Sequence, residues 1–401
     1  MKTFIEVAEA RDLINRSLPD PINEIVPLGA ALGRVLLREV VSKEAVPPFK
    51  NSAMDGFAVR SQDLDASGGQ LRIIGEVRAG AWPSETVVQG TAVRIMTGAP
   101  VPKGADCIVP VEWTGEDGGV VRIDRGIEAG RNVRAAGQDM KVGQLVLAGG
   151  RAIGPGEISA LATLGFAQVS VGRRPRCAVI ATGDELVDVG ENPGPGQIRN
   201  SNGPALASRV LLAGGEVSDL LHARDDKADI ERIIRVASEA DILVFSGGVS
   251  MGDYDLVQEV LEDSGFVAEF WKVKQRPGKP LVFGMLFGKP VFGLPGNPVS
   301  SGVCFDQYVR PAIQRMQGNM HPERRLLKAV LADSFAKPAG LHVFARGVLE
   351  SDETGLLRVR KAGAQGSHIS MSLVLADCLV HLPAGWDRAE PGSVVDVELV
   401  T

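Results

Sequence analysis

Cysteine is scarce and scattered in this chain of 401 residues. The four present, Cys107, Cys177, Cys304 and Cys378, form no C-x-x-C, and the five histidines form no H-E-x-x-H. That absence argues against a disulfide framework or a structural zinc site and predicts a reducing, cytoplasmic setting. Long apolar runs are also missing. None approaches the roughly 18 residues that a membrane-spanning helix needs, so no membrane partner is expected. The first residues lack the unbroken apolar core of a secretory leader, because Glu6 and Glu9 interrupt it. No basic excess is found either. Lys and Arg number 43 against 49 Asp and Glu, a net charge of −6, which speaks against a general nucleic-acid binder.

What the chain does have is glycine and proline, 48 and 24 residues. Together they make about 18% of the sequence against roughly 12% on average. With 44% hydrophobic residues and no G-X-Y period, collagen and disorder are excluded, leaving a globular protein rich in turns.

The texture changes along the chain. Thr3 and Glu6 have the spacing of a capping box, which predicts a helix starting there. Residues 51–140 read as short strands between Gly, Pro and Asp turns. Residues 141–172 read as a strand and then a helix, with Pro155 near its start and Gly165 past its end; that helix is expected beside the N-terminal one. From 173 the pattern becomes apolar strand, glycine turn, helix, as at Cys177–Ala181, Ile242–Phe245 and Val291–Leu294. Fully apolar strands of this kind are buried on both faces of a parallel sheet. The expected fold class is thus α/β plus β. A doubly wound α/β domain spans 173–318, a β-rich inserted domain 51–140, a discontinuous domain 1–50 with 141–172, and a small C-terminal β-barrel 319–401.

In open parallel sheets ligands collect at the carboxyl ends of the strands. Thr182-Gly183-Asp184-Glu185, Asp225-Asp226, Ser246-Gly247-Gly248 with Ser250 and Asp253, and Pro295–Ser300 all fall at such ends. The glycines allow backbone to approach an anion closely. Converging carboxylates repel by about 4 kcal/mol per pair at 4 Å and an effective dielectric of 20, which a hard cation such as Mg²⁺ would relieve. N-capping is the plainer role for Asp226. Arg276 and Lys279 flank a Pro-Gly turn, a pairing suited to an oxyanion. Asp55 and Asp139, read alone, are turn residues as readily as catalytic ones.

Taken in order, these segments resemble the molybdopterin molybdenumtransferases, the bacterial MoeA-type enzymes and the homologous E domain of gephyrin. The likeness rests on Asn51–Val59, Thr97-Gly98-Ala99-Pro100, Thr182–Leu186, Ser246–Asp253, Pro277–Pro280, Leu294–Ser300 and Gln365-Gly366-Ser367-His368. The resemblance implies insertion of molybdate into adenylylated molybdopterin with Mg²⁺, releasing AMP and molybdenum cofactor. It implies a homodimer whose active site takes Asp55, Thr97 and Asp139 from one subunit's insert and Glu185, Asp225 and Asp253 from the other's α/β domain. Thr182, Gly183, Asp184, Ser246, Gly247, Gly248, Ser250 and Pro298 would bind the adenylylated pterin. Arg276, Lys279, Ser300, Arg346 and Ser367 would bind molybdate, with Arg276 standing where many family members have Lys. Asp225, Asp226, Asp253 and Glu185 are the metal candidates. Molybdopterin adenylyltransferase and cofactor-accepting enzymes or carriers would be partners. The competing readings are a gephyrin-like scaffold, which would need no molybdate-dependent AMP release, and a pterin adenylyltransferase, which would lack the insert and the barrel.

Overall fold

The computed structural model describes residues 1–248 and 256–400. The chain forms two compact units, one of residues 1–37, 150–154 and 168–401, the other of 38–149 and 155–167.

The first unit is built on a seven-stranded sheet. Its strands are β1 (Lys2–Ile5), β2 (Arg176–Thr182), β3 (Glu216–Ala223), β4 (Ile242–Ser246), β5 (Val267–Val273), β6 (Val282–Leu286) and β7 (Lys289–Leu294), in the order β1-β5-β6-β7-β4-β2-β3. The run β7-β4-β2-β3 is parallel. Successive residues of these strands feed two cores. Cys177, Val179, Ile242 and Val244 pack on one face with helix α1 (Val7–Ser17) and helix α2 (Asn202–Leu212). Ala178, Ile180, Leu243 and Phe245 pack on the other with α3 (Lys227–Val236) and α4 (Leu256–Asp263). Two-sided burial is why these strands carry no polar alternation.

The expected capping box does not form. Thr3 lies in β1, paired with Trp271 of β5, so its hydroxyl is not at a helix start. Helix α1 begins at Val7, and Glu6 reaches Lys274 instead at 2.8 Å. The helix Pro155–Thr163 forms where the sequence predicts it, but it belongs to the second unit and α1 to the first.

After β7 the chain runs through one helical stretch, Pro298–Met316, with a π-helical turn at Phe305–Val309. A closed five-stranded barrel follows, of β8 (Leu326–Leu331), β9 (His342–Ser351), β10 (Leu357–Lys361), β11 (Cys378–Leu382) and β12 (Val394–Leu399). The short strand Gln275–Arg276, leading out of β5, pairs in parallel with His342–Val343 of the barrel.

The second unit centres on a six-stranded sheet. Gly56–Val59 lies between Cys107–Pro110 and Thr91–Ile95, and Gly69–Val77, Val120–Ile123 and Thr114–Asp117 continue it. Phe57 and Val59 pack on one face, Ala58 on the other.

Candidate active site

The strand ends of β2, β4 and β7 open on a cleft of about 780 Å³. Its walls include Thr182, Gly183, Glu185, Asp225, Ser246, Gly247, Gly248, Asn297 and Pro298. Every adenylylated-pterin candidate except Asp184 and Ser250 is therefore at the cleft. Asp184 stands just behind, accepting a bond from the Asp225 N–H at 3.1 Å. Ser250 and Asp253 lie outside the described residues.

The glycines are required here by space as well as by backbone conformation. Gly247 and Gly248 have φ of +93° and +63°. A Cβ on Gly247 would stand 2.8 Å from the Thr182 carbonyl oxygen, and one on Gly248 2.5 Å from Val257 Cγ2. The hydroxyl of Thr182 is buried beside them with no hydrogen-bond partner among the described residues. Such an orphan is costly unless a guest supplies the bond. Asn202, which sequence reasoning missed, ties the loops together. Its amide donates to Ser246 Oγ at 2.9 Å and to the Gly296 carbonyl at 2.7 Å. His222 Nε2 meets the Gly183 carbonyl at 2.8 Å.

The three metal candidates among the described residues separate. Glu185 and Asp225 line the cleft. Asp226 is the N-cap of α3, accepting the Asp229 N–H at 3.0 Å. Among the described residues no three His, Cys, Asp or Glu side chains cluster as a metal cage. Mg²⁺ needs no such cage, since one or two carboxylates together with substrate phosphates and water satisfy it. The donor set of Glu185 and Asp225 fits that pattern.

A second pocket, of about 420 Å³, lies against the barrel, and Arg276, Arg346 and Lys361 are on its walls. Arg346 is 2% exposed. Its Nε donates to Ser372 Oγ at 3.1 Å and its Nη2 to the Gly366 carbonyl at 3.2 Å. Burial first, and then the positive charge of Arg276, lower its pKa to about 10. No carboxylate among the described residues pairs with it, and none lines the pocket, so its three cationic side chains share it uncompensated. That arrangement selects an anion. Lys279, Ser300 and Ser367 do not line this pocket. Lys279 Nζ stands 5.9 Å from the Phe4 ring, Ser300 is buried in its helix, and the Ser367 carbonyl accepts the Val299 N–H at 3.2 Å. Lys361 and Gln365 were missed. Lys361 belongs to no motif that marks it, and Gln365 opens the Gln365-Gly366-Ser367-His368 motif without being marked there as a pocket residue; the fold of the barrel brings both in.

In the second unit Asp55 and Thr97 come together. Asp55 Oδ1 accepts the Thr97 N–H at 2.7 Å and its hydroxyl at 2.8 Å. These bonds, the backbone one first, hold the Asp55 carboxyl below its ordinary range. Asp139 shares no hydrogen bond with that pair among the described residues; its N–H is bonded to the Val46 carbonyl at 2.9 Å.

A mixed α/β sheet, whose parallel run β7-β4-β2-β3 ends on a glycine-lined cleft with two carboxylates beside a cationic pocket, is the kind of scaffold that suits a phosphate-bearing guest. Comparison with known families gives that class a name. Residues 5–165 match the MoeA N-terminal region (domain I and II), 178–315 a probable molybdopterin binding domain, and 328–400 the MoeA C-terminal region (domain IV). Molybdopterin molybdenumtransferases of Haemophilus influenzae and Staphylococcus epidermidis are 36% and 34% identical. The first alignment covers 98% of each chain, the second 99% of this chain and 96% of the relative. A crystal structure of the molybdopterin biosynthesis MoeA protein from Pyrococcus horikoshii superimposes with a TM-score of 0.85 at 29% identity, covering 99% of this chain and 100% of that one. A second structure of that name gives 0.81 at 31%, with 99% of each chain covered. The chain belongs to the MoeA family of molybdopterin molybdenumtransferases, enzymes of molybdenum cofactor biosynthesis. No described helix is long and apolar enough to cross a membrane.

Proposed function

We propose that this chain inserts molybdate into adenylylated molybdopterin, releasing AMP and molybdenum cofactor. The observation that carries the reading is the pairing of two chemically opposite sites in one unit. One is a glycine-turn cleft with Glu185 and Asp225 on its wall; the other is a carboxylate-free pocket holding Arg276 and buried Arg346.

Thr182, Ser246 and the Gly247-Gly248 turn hold the diphosphate bridge of the substrate, and the orphaned Thr182 hydroxyl gains its missing partner. Glu185 and Asp225, with Asp253, hold Mg²⁺. When bound, that ion neutralises charge developing on the phosphates as the bridge is cleaved. Arg276 presents a planar fork to a tetrahedral dianion and Arg346 its remaining N–H groups, and the dianion relieves the repulsion between the two as it binds. Tungstate has the same charge and nearly the same size, so it should enter as well. Asp55, Thr97 and Asp139 complete the site from the insert of a second subunit in a homodimer. The four-domain division drawn from the sequence and a cytoplasmic location belong to the same proposal.

The test is AMP release from adenylylated molybdopterin with and without molybdate. Release that depends on molybdate and is lost in the double variant Glu185→Ala, Asp225→Ala supports the assignment. No release, or release unchanged in that variant, overturns it.

A further inference from the structure

The motif Gln365-Gly366-Ser367-His368 contributes to both sites, yet its histidine has no assigned task. Gln365 lines the cationic pocket, whereas His368 lines the cleft and is the only imidazole there among the described residues. A diphosphate guest meets carboxylates at Glu185 and Asp225 and needs N–H donors elsewhere on the wall. Arg199 is the one lining guanidinium, and it is already engaged. It donates to the Val189 carbonyl at 3.1 Å and to Asn192 at 3.3 Å. His368 is exposed, and no hydrogen bond of its ring is found among the described residues.

The loop that carries it is fixed rather than free. The Gln365 amide accepts the Arg346 N–H at 2.9 Å and donates to the Arg346 carbonyl at 3.1 Å, beside the Ala362 N–H that the same carbonyl accepts at 3.0 Å just past the end of β10. The Val299 N–H holds the Ser367 carbonyl at 3.2 Å. Gly366 leaves room for the imidazole, since a Cβ there would lie 3.0 Å from His368 Cε1.

We infer that His368 is a further substrate-contacting residue, donating a ring N–H to the phosphates in the cleft, and that Gln365 is its positioning residue through the clamp on Arg346. This rests on the proposed function, because that reading puts phosphates in the cleft. ADP is the probe for the cleft and molybdate for the cationic pocket, each titrated by calorimetry on the full chain. His368→Ala should weaken ADP binding about tenfold and leave molybdate affinity within about twofold, and His368→Gln, which keeps an N–H donor, should recover part of the loss. Gln365→Ala should weaken both ligands. ADP binding unchanged in His368→Ala overturns the contact, and loss of molybdate alone in Gln365→Ala overturns the positioning role. A parent protein that binds neither probe overturns the proposed function itself. Thermal melting of each variant within about 2 °C of the parent establishes that folding is intact, and a variant that melts lower is judged by the His368→Gln rescue.

Discussion

Thr97 turns both of its donors on a single oxygen of Asp55, the N–H at 2.7 Å and the hydroxyl at 2.8 Å. Both bonds favour the charged carboxylate. Asp55 should therefore titrate below the ordinary 3.8. Thr97→Ala removes only the hydroxyl and should raise the value part of the way back; Thr97→Ser should leave it low. Because the folded value is depressed, the associated stability is present above the unfolded value and is lost as pH falls through the folded one. Carbon-detected titration of labelled aspartate reads the shift directly.

The adjacent acids Asp225 and Asp226 should separate by experiment as they do in space. Asp226→Ala removes the cap of α3 and should cost about 1 kcal/mol of stability, which Asp226→Asn should spare. Neither change should move Mg²⁺ affinity in the presence of ADP by more than about twofold. Asp225→Asn should weaken Mg²⁺ binding with little change in stability. Urea unfolding and metal titration supply the two readouts.

Gly247→Ala should be poorly tolerated. The residue has φ of +93°, and the added carbon would press on the Thr182 backbone. A cost of about 1–3 kcal/mol is expected for the conformation alone. ADP affinity should fall about tenfold or more, since relief of the clash moves the turn. Gly115→Ala, with nothing within 4 Å of its new carbon, is the control that should leave both unchanged.

His342 should make the barrel acid-sensitive. Its Nε2 is buried without a hydrogen-bond partner among the described residues, and burial, then the positive surroundings of His381, Arg11 and Lys337, lower its pKa from 6.5 to about 3. As pH falls below 6.5 the unfolded chain takes up this proton and the folded chain does not. Stability is therefore full above that pH and declines toward 3, by up to about 1.4 kcal/mol for each pH unit crossed. His342→Phe should flatten that part of the stability profile measured by urea unfolding.

The parallel strands were legible in the sequence because burial on both faces leaves an unbroken apolar signature, as at Cys177–Ala181. The glycine turns were legible because no other residue tolerates the backbone of Gly247. The capping box was misread for the opposite reason. Thr3-x-x-Glu6 is a local pattern, and pairing with Trp271, far along the chain, displaced it. Asp226 and Asp225 are neighbours with identical chemistry, so only the start of α3 distinguishes a cap from a cleft ligand. Gln365 stands in a recognisable motif, but nothing in that motif shows the clamp its amide makes on Arg346. Such a clamp is visible only once the fold brings the two residues together.

The pairing of Gln275–Arg276 with His342–Val343 gives the cationic pocket an unusual parentage. Arg276 is delivered by the chain leaving the α/β sheet, yet its backbone is bonded into a barrel strand, and Arg346 rides farther along that same strand. On the proposed function, an oxyanion held between the two guanidiniums would act as a rivet through a seam. The barrel is then no detachable appendage. On the same proposal, a change that loosens its closure should also disturb the spacing of Arg276 and Arg346 on which anion binding would depend.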